Sequence, residues 1–202
     1  MHFDGKKWQS FPTPEFHRPK PDPEDDASLY DVVTVSRDDV WAFGAHRYWT
    51  GEEEHETTVA LHWDGKRWRK APKALDTELR KNHGLDTSGT RDGAGGFVLN
   101  GGLHRTADGA LHMVKVSKPV AGRSRKITKA DRRQRFDVSD LDLVPGTHEL
   151  WAAGNISVEL SGDANFMRGM VASYSTGDRP LGPAGPGERV AAGPQARVPP
   201  TS

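Results

Sequence analysis

Ser36-Arg37-Asp38-Asp39-Val40-Trp41-Ala42-Phe43-Gly44 is the stretch that decides the fold: a polar turn runs into a short apolar segment that carries a tryptophan and ends on glycine. Two later stretches have a similar frame, Gly95-Gly96-Phe97-Val98-Leu99-Asn100-Gly101 and Glu149-Leu150-Trp151-Ala152-Ala153-Gly154. Trp41, Phe97 and Trp151 thus recur about every 55 residues, a period that points to an array of small structural units.

A second motif supports the period. Phe3-Asp4-Gly5-Lys6-Lys7-Trp8, with Pro12 beyond it, matches Trp63-Asp64-Gly65-Lys66-Arg67-Trp68, with Pro72 beyond it, at an offset of 60. Asp-Gly between two strand-like runs reads as a tight turn, because glycine accepts positive φ and the aspartate side chain bonds the turn backbone. Each copy reads as a hairpin.

The clearest unit spans 28–72. Leu29 to Ser36 is rich in β-branched residues, Val40 to Gly44 follows after a polar turn, Thr58 to Trp63 alternates, and Arg67 to Lys70 returns after Asp64-Gly65. Pro72, without an amide proton, closes the ladder. Four short antiparallel strands with aromatic anchors make a unit the size of one propeller blade.

The remaining units are less regular. In 83–135 the strands are expected at His83 to Ser88, Gly96 to Leu99 and Ala110 to Val116, with no clear fourth strand and a basic insertion. In 136–176 they are expected at Phe136 to Leu143, Leu150 to Gly154 and Met170 to Ser175, again without a fourth. Residues 1–14 form an isolated hairpin. In 177–202, glycine and proline make up 11 of 26 residues and almost no large apolar side chain remains, so this tail is expected to be disordered. The expectation is an all-β, partial β-propeller of about three four-stranded antiparallel blades.

Composition narrows function only by exclusion. The 202 residues carry 28 basic and 28 acidic side chains, so no global charge steers a partner. The absence of cysteine excludes disulfides, thiolate metal sites and a cysteine nucleophile. No apolar run reaches the ~20 residues that span a bilayer. The opening residues read as a strand and turn rather than a signal peptide.

The pattern Ser-x-Asp-Asp-Val-Trp-Ala-x-Gly (36 to 44), then His-Trp-Asp-Gly-x-x-Trp (62 to 68) and a proline, resembles the propeller-like repeat proteins common in high-GC actinobacteria. Val-Pro-Gly-Thr-x-x-Leu-Trp-Ala-x-Gly (144 to 154) looks like the final repeat of such proteins. The resemblance implies an exported or cell-envelope protein with no assigned reaction, the alternative being a cytoplasmic one. The chain is also similar to WD repeats in its Trp-Asp pair at the end of a third strand, but the Gly-His element expected upstream is missing. Closed propellers need at least four blades. Three blades and a hairpin therefore imply a longer protein that begins upstream, which is the favoured reading, or self-association through open blade edges, or a marginal domain.

Candidate site residues are few. His46-Arg47-Tyr48-Trp49 falls just after a strand, where propellers place binding loops, and His46, Tyr48 and Trp49 offer faces that stack on sugar rings. Glu52-Glu53-Glu54-His55-Glu56 has metal-ligand types but reads as a solvated loop tip. The basic stretch, with Arg123, Arg125, Lys126, Arg132 and Arg133, has the charge to engage a polyanion. It lacks interleaved aromatics for stacking on nucleic acid, and a solvated insertion explains it. Trp41, Trp63, Trp68, Phe97 and Trp151 are assigned to core or inter-blade packing. No Gly-x-Ser-x-Gly elbow or phosphate loop occurs, and no catalytic residue, metal or cofactor is assigned. The expected function is a non-catalytic binding or structural module for a protein or glycan ligand. The alternative is part of a propeller-fold hydrolase or lyase whose catalytic residues lie in other blades.

Overall fold

The computed structural model describes residues 2–3, 5–16, 23–81, 87–114, 135–159 and 165–176. A small hairpin pairs β1 (His2–Phe3) with β2 (Trp8–Gln9). The first large sheet runs β3 (Asp26–Ser36), β4 (Asp39–Thr50), β5 (Glu53–Trp63) and β6 (Trp68–Lys70) in chain order. After helix α1 (Lys73–Lys81), the middle sheet runs β7 (Gly89–Arg91), β8 (Phe97–Leu99), β9 (Leu103–Arg105) and β10 (Leu111–Met113). The last sheet has three strands, β11 (Arg135–Leu143), β12 (Glu149–Glu159) and β13 (Asn165–Ser175). Every pairing is antiparallel.

The two Asp-Gly hairpins form as expected and in matching registers. Phe3 pairs with Trp8, and Trp63 with Trp68, around Gly5 and Gly65 at φ 91° and 84°. In the second copy Asp64 Oδ1 accepts the amides of Lys66 and Arg67 while Oδ2 accepts Arg69 Nε at 2.6 Å. Backbone donation from Arg67, then Arg69, pulls this carboxyl down to about 2.

Helix α1 is an exception to the all-β expectation. Pro72 ends the strand ladder as expected, and its carbonyl then accepts the Asp76 amide. Leu75 and Leu79, four residues apart, bury one face, while Arg80 to Asp76 and Lys81 to Glu78 pair along the surface. A nine-residue helix with two large apolar side chains gives too short a periodic signal to be read against a strand-rich background.

Alternation places the middle sheet between the other two. Val33, Trp41, Phe43 and Ala60 of the first sheet meet Phe97, Leu99 and Leu103 of the middle sheet, with Leu75 and Leu79 alongside. Val98, on the opposite face of β8, meets Leu141, Leu143 and Leu150 of the last sheet. The first strands touch in succession, β3 against β7 and β7 against β11.

Register also corrects the frame read from sequence. Trp41 faces the following sheet, but Phe97 faces the preceding one, and Val98 is the residue that faces forward. A one-residue shift in a strand exchanges its faces. The glycines align on this corrected frame: Gly44, Gly101 and Gly154 each follow the forward-facing residue by three. Gly44 pairs with Leu29 beside a bulge at Tyr30, and Gly154 pairs with Val138 beside a bulge at Ser139. A Cβ would strike the Ser28 carbonyl oxygen from position 44 and the Asp137 carbonyl oxygen from position 154.

Other boundaries move. Strands β4 and β5 are far longer than expected and absorb the supposed loop at 45–56, turning only at Gly51 (φ 66°). Cross-strand contacts extend them: Arg47 to Glu56 at 2.6 Å, Tyr48 stacked on His55, and Thr50 bonded to His55. In the middle sheet the first described strand is Gly89–Arg91, residues 83–86 of the strand expected at His83 to Ser88 lie outside the described residues, and Leu103–Arg105 is the strand the sequence hid. The tail 177–202 and the basic residues Arg123, Arg125, Lys126, Arg132 and Arg133 lie outside the described residues.

The tryptophan anchors divide. Trp41 is fully buried, while Trp63 and Trp68 are half-buried and meet at a tilt with ring centroids 5.8 Å apart, with Phe11 against Trp63. Trp151 is 49% exposed, against its assignment to the core, because no following sheet covers its face among the described residues. Trp41→Ala should therefore cost about 3 to 5 kcal/mol, and Trp151→Ala no more than about 1 kcal/mol, in urea denaturation. Equal losses would contradict this packing.

Candidate functional site

The residues chosen from sequence do not form one surface. His46, Tyr48 and Trp49 lie within β4, not in a loop after it. Alternation puts His46 and Tyr48 on one face, beside His55 across the ladder, and turns Trp49 to the other. The His46 and Tyr48 rings are 5.3 Å apart, and the Tyr48 and His55 rings 5.2 Å. His46 is buried, and its Nε2 has no hydrogen-bond partner. These residues thus sit on a strand surface and not in the expected loop. Glu53, Glu54 and Glu56 are strand residues too, and among the described residues no three histidine or carboxylate groups come together as metal ligands.

The structure instead joins two aspartate–histidine pairs that sequence spacing concealed. In the first sheet Asp39 Oδ1 accepts Trp41 Nε1 at 2.7 Å and lies 2.9 Å from His62 Nε2, and the His62 ring stacks on Trp41 at 4.2 Å. In the middle sheet Asp92 Oδ2 lies 2.9 Å from His104 Nε2, and its Oδ1 accepts the Ala94 and Gly96 amides. Both aspartates stand at the turn between first and second strands, and both histidines in the third strand. The separations, 23 and 12 residues, differ because the loops and strands between them differ in length, so no fixed motif announces them.

The Asp92 pair is almost wholly enclosed, with aspartate and histidine side chains 1% and 8% exposed. Burial alone would raise the Asp92 carboxyl, but the bonds from His104, Gly96 and Ala94 outweigh it and hold the group below the usual range. Tyr174 of β13 is pushed up by burial and by the Asp92 charge, and its hydroxyl lies 3.5 Å from His104 Nδ1. Thr176 Oγ1 donates to the Asp92 carbonyl at 2.8 Å. Both imidazole nitrogens face protein groups, and the cluster links the middle sheet to the last.

A groove of about 390 Å³ opens where the first strands end. Val35, Arg91 and Leu143 come from the ends of β3, β7 and β11 or just beside them, while Gly93, Gly95, Gly146, Thr147 and His148 come from the adjoining turns. Gly93 has φ 76°, and a Cβ there would strike the Thr147 carbonyl oxygen, so the two turns meet backbone to backbone. Arg91 and His148 are exposed, and no carboxylate lines the groove. The other groove, about 320 Å³, lies between residues 13–16 and the outer face of the first sheet, against Leu29, Val59 and Leu61. It draws on one sheet and is mainly apolar. Among the described residues no helix is long and apolar enough to cross a membrane.

Comparison with protein-family models, with curated proteins and with solved structures yields no match.

Asp92→Asn should destabilise the protein by about 3 kcal/mol, since it leaves His104 and two amides facing an altered partner in a buried site. The native carboxyl sits below its unfolded value of about 3.9, so its stabilisation is present above that value and is lost as pH falls through the native one. Urea melts of both proteins over an acid series should thus show the gap between them closing as pH drops.

Proposed function

We propose that this chain is a non-catalytic, propeller-type binding or structural module, an arc of three sheets whose ligand site is the groove at the ends of the first strands. The observation that carries the reading is that groove: three successive sheets each contribute a first-strand end or an adjoining turn to it. First strands that touch in chain order, β3 with β7 and β7 with β11, are what an arc around a common axis requires. The matched glycine and bulge positions in the first and last sheets support descent from one repeated unit.

Arg91, His148 and the surrounding turns offer donors with no competing carboxylate, so the groove favours a carboxylate or phosphate group on its ligand. The reading as a binding module also rests on the buried, fully engaged state of the Asp92–His104 pair. An exported or cell-surface setting rests on the sequence resemblance alone.

Two measurements test this. Amide hydrogen exchange should be slower in β7, flanked by β3 and β11, than in the equally short outer strands β6 and β10. Uniform exchange across the sheets would overturn the arc. Titration with inorganic phosphate, followed by amide chemical shifts, should move Gly93, Gly95 and His148, with the response lost in Arg91→Gln. Unmoved shifts would remove the groove as an anion site.

A further inference from the structure

The last sheet carries, exposed, the same fittings that the first sheet uses to hold its neighbour. Within the chain, Trp41 receives Phe97 at 5.3 Å and Arg105 at 4.7 Å from the middle sheet. Asp31 Oδ2 accepts the Gly89 amide at 2.8 Å, linking the two first strands. The aligned bulges make Trp151 the counterpart of Trp41, and Asp140 the counterpart of Asp31. Asp31 pairs with Phe43 just past its bulge, as Asp140 pairs with Ala153. Trp151, Val171 and Met167 share this face and are 49%, 58% and 68% exposed.

The complementary half of such a joint is exposed at the other end of the molecule. Gly89 and Val32 pair with Leu99 and Ala42, the residues directly after the forward-facing Val98 and Trp41, so Val32 is the counterpart of Gly89 on the first sheet. Val32 is 58% exposed and Leu29 on the same face 43%. Residues 13–16 meet this sheet across a groove at Leu29, Val59 and Leu61, while Val32 lies outside that groove and is exposed. The joints inside the chain run through first strands, which is the region left uncovered at both ends.

We propose, resting on the three-sheet reading above, that the Trp151 face docks on the Val32 face of a second copy of this chain. Two copies related by a two-fold axis then present each of these faces once to the other. Two such joints close a ring of six sheets, within the range of closed propellers. The joint is head to tail. Asp140 is positioned to accept a first-strand amide from the partner copy, as Asp31 does from Gly89.

The experiment measures the mass of the full chain by light scattering over a concentration series, with Trp151→Glu and Val32→Glu as single variants at exposed positions. The expected result is a wild-type dimer, two monomeric variants, and partial recovery of the dimer when they are mixed, since one joint in the mixed pair is intact. A wild type that stays monomeric overturns the proposal and leaves the face to another segment or another protein. Dimerisation retained by Val32→Glu but lost by Trp151→Glu means that two last sheets meet each other, which overturns the head-to-tail joint. Variants that leave the mass unchanged overturn it as well. The exchange ranking of β7 over β6 and β10 is read on the same samples: if it persists in a monomer, the arc stands and only the partner falls.

Discussion

The arrangement depends on how Trp41 is held. Its indole is fixed at one edge by Asp39, backed by His62 and met on the other side by Phe97 and Arg105. Asp39 bonds both the indole and the imidazole, so one carboxylate sets the orientation of two rings. With that orientation fixed, the indole presents a flat surface on which the middle sheet seats its aromatic and cationic side chains. The middle sheet then offers Val98 on its far side to the last sheet. Its own strands are only three residues long, too short to pack independently, so it is ordered by what lies on each side.

A related device works at the second joint with different chemistry. Asp92 and His104 are buried where Trp41 has an aromatic stack, and the last sheet reaches them through Tyr174 and Thr176. Polar groups enclosed to this degree are tolerated because each finds a partner. The first joint is therefore mainly a packing contact and the second mainly a hydrogen-bonded one.

Much of the strand order was legible because hairpin turns are local. Asp64-Gly65 reports directly on φ, and the runs around Trp41 and Trp151 on alternation, so those strands lie where expected, although β4, β5 and β12 reach well past the expected bounds. Facing was less legible. Phe97 looked equivalent to Trp41 because both are aromatic, yet the structural equivalent is Val98, and only cross-strand register distinguishes them. The site was less legible still, since Asp92, His104 and Arg91 acquire their roles from residues in other strands and sheets. The loop assigned to His46, Tyr48 and Trp49 failed because the polar character of 48–56 reflects a strand pair reaching beyond its neighbours, while Ala45 and His46 are buried where β3 still pairs with β4.

That projecting strand pair carries a consequence of its own. Beyond Arg47, β4 pairs only with β5, forming a two-stranded ribbon whose turn and flanks hold Glu52, Glu53, Glu54 and Glu56. The chain as a whole has a formal net charge of zero, so a charged surface exerts no net pull on it. Arg47 offsets Glu56, and the remaining Glu52, Glu53 and Glu54 still give this end of the molecule a directional field. Near an anionic surface it turns the ribbon away, and near a cationic one it leads with it, so its angle of approach is set before any contact is made.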